Sequence, residues 1–298
     1  MAELPSISII IPTYNSAAWL RPTLEAVLAQ DYPDFEVVLI ENASADASLA
    51  IAESFADARL RIIRNAVNRG FSGGNNDGVR ASRGEIVFLV NADAIMDPGS
   101  LREVARAFAE RPDVGILGAK LVYSDGETLQ HCGGTVGFPA HCTLFGHGEK
   151  DTGQWDEVRE VEFVVGAAMA LRRSLWDRLG GFDEDFNPAY YEDTDLCLRC
   201  RQLGHKVLYW PRLRLIHVGY ASFKTTDLGF QRLHHRNRVW FTFKDCPLPA
   251  LLLRAIPAEL GWYFSHASAN MRLPMLRIYG RTLKKFVLRR VLRLSRPK

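Results

Sequence analysis

The stretch Glu85 to Asp93, E-I-V-F-L-V-N-A-D, constrains this chain more than any other. Its run of β-branched and large apolar residues shows no alternation, so it reads as a strand buried on both faces, and it stops abruptly at Asn91 and Asp93. Residues two apart on an extended chain point the same way. Asn91 and Asp93 are therefore predicted to face the region beyond the carboxyl edge of the sheet, where open α/β folds bind their ligands. A carboxylate there suits a divalent cation, because hard cations want oxygen ligands and take the rest of their shell from water or phosphate. The same letters, followed by Asp97-Pro98-Gly99-Ser100, also fit a capped turn into the next helix.

Three earlier runs also read as strands: Ser6 to Ile11, Phe35 to Ile40 and Leu60 to Arg64. Each leads into polar residues and then a helical stretch, which predicts an α/β fold with a doubly wound, mostly parallel central sheet. After the first run Pro12 stops the ladder, leaving Thr13, Tyr14 and Asn15 on the ligand side, and a helix is expected over 16–30. The second run ends in Glu41-Asn42-Ala43-Ser44-Ala45-Asp46. Ser44 and Asp46 fit helix caps, whereas Glu41 stands where a carboxylate can accept the N3–H of a pyrimidine base. The third run opens into N-R-G-F-S-G-G-N-N at 68–76. Its glycines, Gly70 among them, let a backbone approach a ligand closely, and Asn68 and Asn75 can bond sugar hydroxyls or phosphate oxygens. A tight loop with a helix cap is the competing reading. The spacing is not G-x-G-x-x-G and it follows the third strand, which excludes a dinucleotide fingerprint.

The second half is less regular. Strand-like runs at 114–123 and 161–171 enclose a loop region with Gly and His; a helix from about Ser174 ends at Gly180-Gly181; a turn follows at 182–186. Tyr190-Tyr191-Glu192-Asp193-Thr194-Asp195 opens a helix that runs to Gly204, strands are expected at 206–210 and 214–217, and a further helix contains His234-His235-Arg236-Asn237. A length of 298 residues accommodates one large α/β domain or two small ones.

The formal charge of +3 conceals an asymmetry, because no Asp or Glu follows Glu259 while Lys and Arg are frequent there. An acidic body with a basic tail points to an anionic surface, a membrane or another polyanion, as the partner of the tail. Five cysteines, an odd number, fit a reducing compartment better than a disulfide framework. The N-terminus lacks a basic region and a cleavage site, so a cytoplasmic protein is expected, and the uncharged run from Leu260 to Met271 is too short and too polar to span a bilayer.

Taken in order, S-I-I-I-P-T-Y-N, E-N-A-S-A-D, N-R-G-F-S-G-G-N-N, L-V-N-A-D-A-I-M-D-P-G-S-L, G-G-F-D-E-D-F, Y-E-D-T-D-L-C-L-R and I-H-V-G-Y-A-S resemble the family 2 glycosyltransferases of the GT-A fold. The resemblance runs from about Ser6 to Asn237, and the third piece is most similar to the branch of rhamnosyltransferases and other O-antigen or cell-wall sugar transferases. It implies a nucleotide-sugar half over 1–112, an acceptor-binding half over 113–245 and a basic helical tail over 246–298. It implies further that Thr13, Asn15 and Glu41 surround base and ribose, and that Asp93 stands where the last acid of the family's D-x-D binds Mn²⁺ or Mg²⁺. His217 matches a histidine that completes the metal site in several relatives, and Asp193 matches the catalytic base, with Glu192 beside it. Glu41 replaces the more usual Asp, and Asn91 replaces the first acid of D-x-D, which implies weaker metal binding without its loss.

Moving a sugar from a nucleoside diphosphate requires a stabilised leaving group and a base for the acceptor hydroxyl. One base and one displacement imply inversion at the anomeric carbon. The resemblance implies a UDP- or dTDP-sugar donor, with rhamnose the sugar of the matching branch, and a saccharide or lipid-linked saccharide acceptor. Arg236 can clamp a phosphate bidentately or sit on a solvated helix face. The segment lacks the Q-x-x-R-W of processive synthases, in keeping with addition of one or a few sugars. Cys197 and Cys200 form C-x-x-C, which suits a zinc site or, more simply, two small residues facing a core.

In the tail, Leu276, Tyr279, Leu283, Val287, Val291 and Leu294 recur at helical spacing, with Arg277, Arg281, Lys284, Lys285, Arg289 and Arg293 mostly on the other side. This suits a helix in an anionic membrane interface, peripheral on the inner face of the cell membrane, or one packed on its own domain or a second copy. Nucleic acid is not an expected partner. Two rival functions remain: a nucleotidyltransferase would need more acids around the metal and a basic triphosphate loop, and a non-catalytic scaffold would not need Asp93 and Asp193 intact.

Overall fold

The structure, a computed structural model, describes residues 4–219, 227–244, 246–267 and 269–294, with the backbone alone at 269 and 290–294. The chain divides into two compact units, residues 1–135 with 144–221, and residues 136–143 with 222–298.

The first unit is built on a ten-stranded sheet. Four βα steps come first: β1 (Ile7–Thr13), α1 (Ala17–Leu28), β2 (Phe35–Glu41), α2 (Ser48–Glu53), β3 (Leu60–Arg64), α3 (Gly70–Ala81) and β4 (Ile86–Val90). There follow β5 (Ala94–Met96), α4 (Ser100–Glu110), β6 (Val114–Val122), β7 (Leu129–His131), β8 (Gly134–Gly137), β9 (His141–Leu144), β10 (Arg159–Glu160), β11 (Ala168–Arg172), α5 (Arg173–Leu179), α6 (Glu192–Gln202) and β12 (Lys206–His217). The strand order is β10-β12-β6-β11-β4-β1-β2-β3, with β5 added on β12 and β7 on β6, while β8 and β9, whose residues 136–143 belong to the second unit, form a separate pair. β4, β1, β2 and β3 are parallel, as are β6 and β12, and β11 runs antiparallel between β4 and β6.

The apolar runs account for this sheet. Every residue of β2 and β4 is buried, so both faces must be covered. α1 supplies Leu20, Thr23, Leu24 and Val27 at the i, i+3, i+4, i+7 spacing of one helix face, and α4 supplies Leu101, Val104, Ala105 and Phe108. Each Leu, Ile or Phe so buried contributes about 1.5–3 kcal/mol.

Three sequence expectations change. Only 68–69 of the stretch 68–76 are loop: helix α3 begins at Gly70. A Cβ at Gly78 would lie 2.3 Å from Ile10 Cγ2, and one at Gly74 would lie 2.6 Å from Asn42 Nδ2. The glycines therefore let the helix backbone lie directly on β1 and β2, and this packing offsets a propensity cost of about 1 kcal/mol per glycine. Of the expected strand over 161–171, only 168–172 is strand, and 161–167 is irregular. Conversely, 206–217 is one strand whose register on β6 shifts between Trp210 and Arg214.

The second unit contains α7 (Leu228–Lys244), α8 (Leu248–Ala250), a π-turn at Leu251–Ala255, α9 (Ile256–His266) and α10 (Ala269–Leu294). Its centre is ionic. Arg238, 1% exposed, gives Nη1 and Nη2 to the two carboxylate oxygens of Glu259 at 2.6 and 2.7 Å, and Nη1 also to Pro139 O. Met271, Met275, Ile278 and Phe286 of α10 are buried, Lys285 and Arg289 lie over the Trp240 ring, and Leu273, Leu276, Leu283 and Val287 are exposed on another face. The side chains of Val291, Arg293 and Leu294 lie outside the described residues, as do Tyr220, Ala221 and Ser222 of the I-H-V-G-Y-A-S piece. No helix among the described residues is long and apolar enough to cross a membrane.

Candidate active site

At the carboxyl end of β4 the chain turns instead of continuing extended, with Ala94 N–H donating to Asn91 O at 3.1 Å. The turn carries both side chains to one imidazole. Asn91 Nδ2 lies 3.2 Å from His217 Nε2, and Asp93 Oδ1 lies 3.3 Å from the same nitrogen. Alternation along a strand is not what brings Asn91 and Asp93 together; a turn and the pairing of His217 with Ala94 across β12 and β5 do. Asp93 is 9% exposed. Burial alone would raise its carboxyl pKa, but the hydrogen bond and charge of His217, with backbone amides including that of Gly219, leave it below the usual value. On its other side the imidazole gives Nδ1–H to Gln130 Oε1 at 2.5 Å.

This donor set fits a divalent cation. Two ligands about 2.1 Å from one ion at a right angle lie about 3.0 Å apart, close to the spacing of the Asp93 oxygen and the His217 nitrogen. Among the described residues no group of three or more His, Cys, Asp or Glu is placed to hold an ion. Asp93 and His217 therefore offer two positions, leaving the remainder for water or a diphosphate.

Asp193 lies in the first turn of α6 and is half-buried. Its Oδ2 accepts the amide of Gly166 at 3.0 Å, and its Oδ1 accepts the amide of Thr194 at 2.6 Å. Burial raises its pKa despite these bonds. The neighbouring Glu192 is 4% exposed, its Oε2 has no partner among the described residues, and burial followed by the Asp193 charge pushes its carboxyl well above the ordinary range. The entry to α6 runs through Tyr190 and Tyr191 at φ 79° and 74°. Two successive non-glycine residues in this region cost about 1–3 kcal/mol each, and such strain clusters at functional sites.

The remaining expected contacts lie along the ends of β1, β2 and β3. Thr13 is fully buried at the end of β1 with no partner for Oγ1 among the described residues. Asn15, at φ 50°, accepts the amide of Ala45 on Oδ1 at 2.8 Å and so ties the β1 loop to the β2 loop. Both oxygens of Glu41 accept amides of its own loop, from Ser44 at 2.6 Å and Ala43 at 3.1 Å, so a pyrimidine N3–H must share their remaining lone pairs. Asn68 Oδ1 accepts the amide of Gly70 at 2.8 Å. Gly70 does not lie open to a ligand, because a Cβ there would meet Asn187 Oδ1 at 2.6 Å. Asn75 is fully buried within α3; its Nδ2 donates to Phe71 O, and its Oδ1 is unpartnered among the described residues. Arg236 belongs to α7 of the second unit, where Nε donates to Asn237 Oδ1 at 2.9 Å.

Several motif residues hold the frame. In G-G-F-D-E-D-F, Gly180 caps α5 at φ 77°, Phe182 packs edge-on against Trp176, and its backbone exchanges two hydrogen bonds with the Asn76 amide. Asp195 pairs with Arg199 at 2.8 Å, and Arg199 reaches on to the carbonyls of Leu179 and Gly181. Cys197 and Cys200 are buried free thiols, with Cys197 Sγ donating to Val164 O at 3.8 Å, as core-facing residues do. Gln130 was not marked by the sequence; nothing in Leu129-Gln130-His131 announces a partner 87 positions away.

The frame and the site together define a GT-A fold. The family model described as "Glycosyl transferase family 2" matches residues 8–180, more than half of the chain, and the chain belongs to that family. It is 35% identical over 234 residues to the O-antigen biosynthesis protein RfbC of Myxococcus xanthus, covering 73% of this chain and 18% of that protein. It is 34% identical over 254 residues to the uncharacterized protein y4gI of Sinorhizobium fredii, covering 80% of this chain and 27% of that one. This chain thus spans only about a quarter or less of these relatives. Among solved structures it is similar to GalNAc-T7 with UDP, GalNAc and Mn²⁺ (TM-score 0.64, 15% identity, 81% of this chain and 48% of that one). It is likewise similar to the mannosyltransferase PcManGT of Pyrobaculum calidifontis with GDP-Man and Mn²⁺ (TM-score 0.59, 20% identity, 99% and 82%).

Proposed function

We propose that this chain is an inverting, metal-dependent glycosyltransferase that moves a sugar from a UDP- or dTDP-sugar, rhamnose being the sugar we favour, to a saccharide or lipid-linked saccharide hydroxyl in cell-surface polysaccharide synthesis. The observation that carries this reading is the approach of Asp93 Oδ1 to His217 Nε2 at 3.3 Å, beyond the carboxyl end of a sheet whose other strand ends bear Thr13, Asn15 and Glu41. Mn²⁺ or Mg²⁺ held by that pair would neutralise the diphosphate leaving group. Asn91 orients the imidazole from one side while Thr13, Asn15, Glu41, Asn68, Gly70 and Asn75 shape the nucleotide end. Asp193 takes the acceptor proton; its upward-displaced pKa makes it a stronger base than an exposed aspartate, and burial disfavours a second charge on the neighbouring Glu192.

Residues 1–112 form the nucleotide-sugar half in this proposal and 113–245 the acceptor half, and Arg236 binds a phosphate bidentately. The tail over 246–298 meets an anionic membrane surface, supported by the exposed Leu273, Leu276, Leu283 and Val287 and by the absence of acids after Glu259. Release of nucleoside diphosphate from a panel of sugar nucleotides with Mn²⁺ and lipid-linked acceptors tests the activity. A product of inverted anomeric configuration is expected; retention would contradict the single-displacement reading.

A further inference from the structure

Gln130 bonds His217 at two points. Its Oε1 accepts from Nδ1 at 2.5 Å, and its Nε2 donates to the His217 carbonyl oxygen at 3.3 Å. The second bond fixes which end of the amide faces the ring, because only a nitrogen can donate to a carbonyl. The ring nitrogen Nδ1 therefore carries a proton, and Nε2 is the nitrogen turned toward Asn91 Nδ2 and Asp93 Oδ1, at 3.2 and 3.3 Å. Space for the amide comes from Gly219, at φ +65°, where a Cβ would lie 2.6 Å from Gln130 Nε2. Gln130 is held in turn by β7, which pairs with β6, and by His147, whose Nδ1 donates to the Gln130 carbonyl at 3.0 Å.

We infer that Gln130 is a positioning residue that locks His217 in the Nδ1–H tautomer, so that Nε2 stands ready as a nitrogen ligand for a divalent cation beside Asp93. This rests on the metal reading of Asp93 and His217 proposed above. A ring free to choose would favour the Nε2–H tautomer, which turns a donor toward the cation position and removes the ligand. Outer partners of this kind change metal affinity by about 10- to 100-fold when removed.

The test uses the full chain with ¹⁵N-labelled histidine, free of metal, at pH 8, with the His217 signals assigned by their loss in His217→Gln. The parent and Gln130→Glu, which keeps an acceptor oxygen, are expected to show the Nδ1–H tautomer, and Gln130→Met the Nε2–H tautomer. Mn²⁺ titration followed by electron paramagnetic resonance is expected to show Gln130→Met about 10- to 100-fold weaker than the parent, with Gln130→Glu retaining affinity. An unchanged tautomer and unchanged Mn²⁺ affinity in Gln130→Met would overturn the inference and reduce Gln130 to a staple between β7 and β12. A parent that binds no Mn²⁺ would overturn the metal reading instead, and the tautomer spectra would still decide the role of Gln130.

Discussion

Asp193 and Asn91 are tied to adjacent residues of one peptide segment: Asp193 Oδ2 accepts the amide of Gly166 at 3.0 Å, and Asn91 donates its own amide to Ala167 O at 3.0 Å. The candidate base and the loop that bears Asp93 therefore share a backbone, and a shift of 166–167 moves both. A Cβ at Gly166 would lie 2.8 Å from the tip of the Phe71 ring. Gly166→Ala is expected to lower kcat by about 10- to 100-fold while the protein stays folded, because small misplacements at a reacting centre are costly. Steady-state kinetics with a parallel thermal melt decides this; an unchanged kcat would show that the ring yields and the segment does not move.

Asp193→Asn removes the proposed proton acceptor and leaves Asp93 and His217 in place. The expected result is a kcat loss of about 10²- to 10⁴-fold with Mn²⁺-dependent donor binding intact. Loss of donor binding in this variant would mean that Asp193 supports the frame and is not the base.

Glu192 gives a pH test of stability. Its folded-state pKa is raised, by burial first and by the Asp193 charge second, above its value in the unfolded chain. The unfolded chain therefore ionises first as pH rises. The contribution is complete below the ordinary carboxylate range and is lost upward from it, at about 1.4 kcal/mol for each pH unit of displacement. Glu192→Gln is expected to melt with the parent near pH 4 and above it at pH 8. Parallel melting curves across that range would refute the raised pKa of Glu192.

The buried Arg238–Glu259 pair of the second unit sets up a double-mutant test. Arg238→Met alone strands a carboxylate and is expected to cost about 3–5 kcal/mol in urea unfolding, whereas Arg238→Met with Glu259→Leu recovers most of the loss. A double variant as unstable as the single one would mean that the pair itself, together with the Tyr279 hydroxyl bonded to Glu259 Oε2 at 3.0 Å, organises this unit.

What the sequence made legible follows from how local the physics was. β2 and β4 are readable because each is a short, almost wholly apolar run, and such runs leave few alternatives to a doubly covered sheet strand. α3 was hidden because Gly70, Gly73, Gly74 and Gly78 count against a helix unless a sheet lies under them, and that sheet is visible only in three dimensions. The gap expected between strands 206–210 and 214–217 is instead a register shift that one strand absorbs. Asn91, Asp93 and His217 were named from motifs and meet in the structure, but the turn that joins them and the Gln130 amide behind His217 are long-range features without a local mark. Glu41 was read as facing a base; its loop amides, two and three residues on, were not foreseen.

Calorimetric titration with UDP-, dTDP- and GDP-sugars, with and without Mn²⁺, on the parent and on Asp93→Ala tests the central claim most directly. One donor is expected to bind the parent only when Mn²⁺ is present, and Asp93→Ala is expected to abolish this binding. A well-folded parent that binds none of these donors, or an Asp93→Ala variant that binds the donor and Mn²⁺ as tightly as the parent, would contradict it.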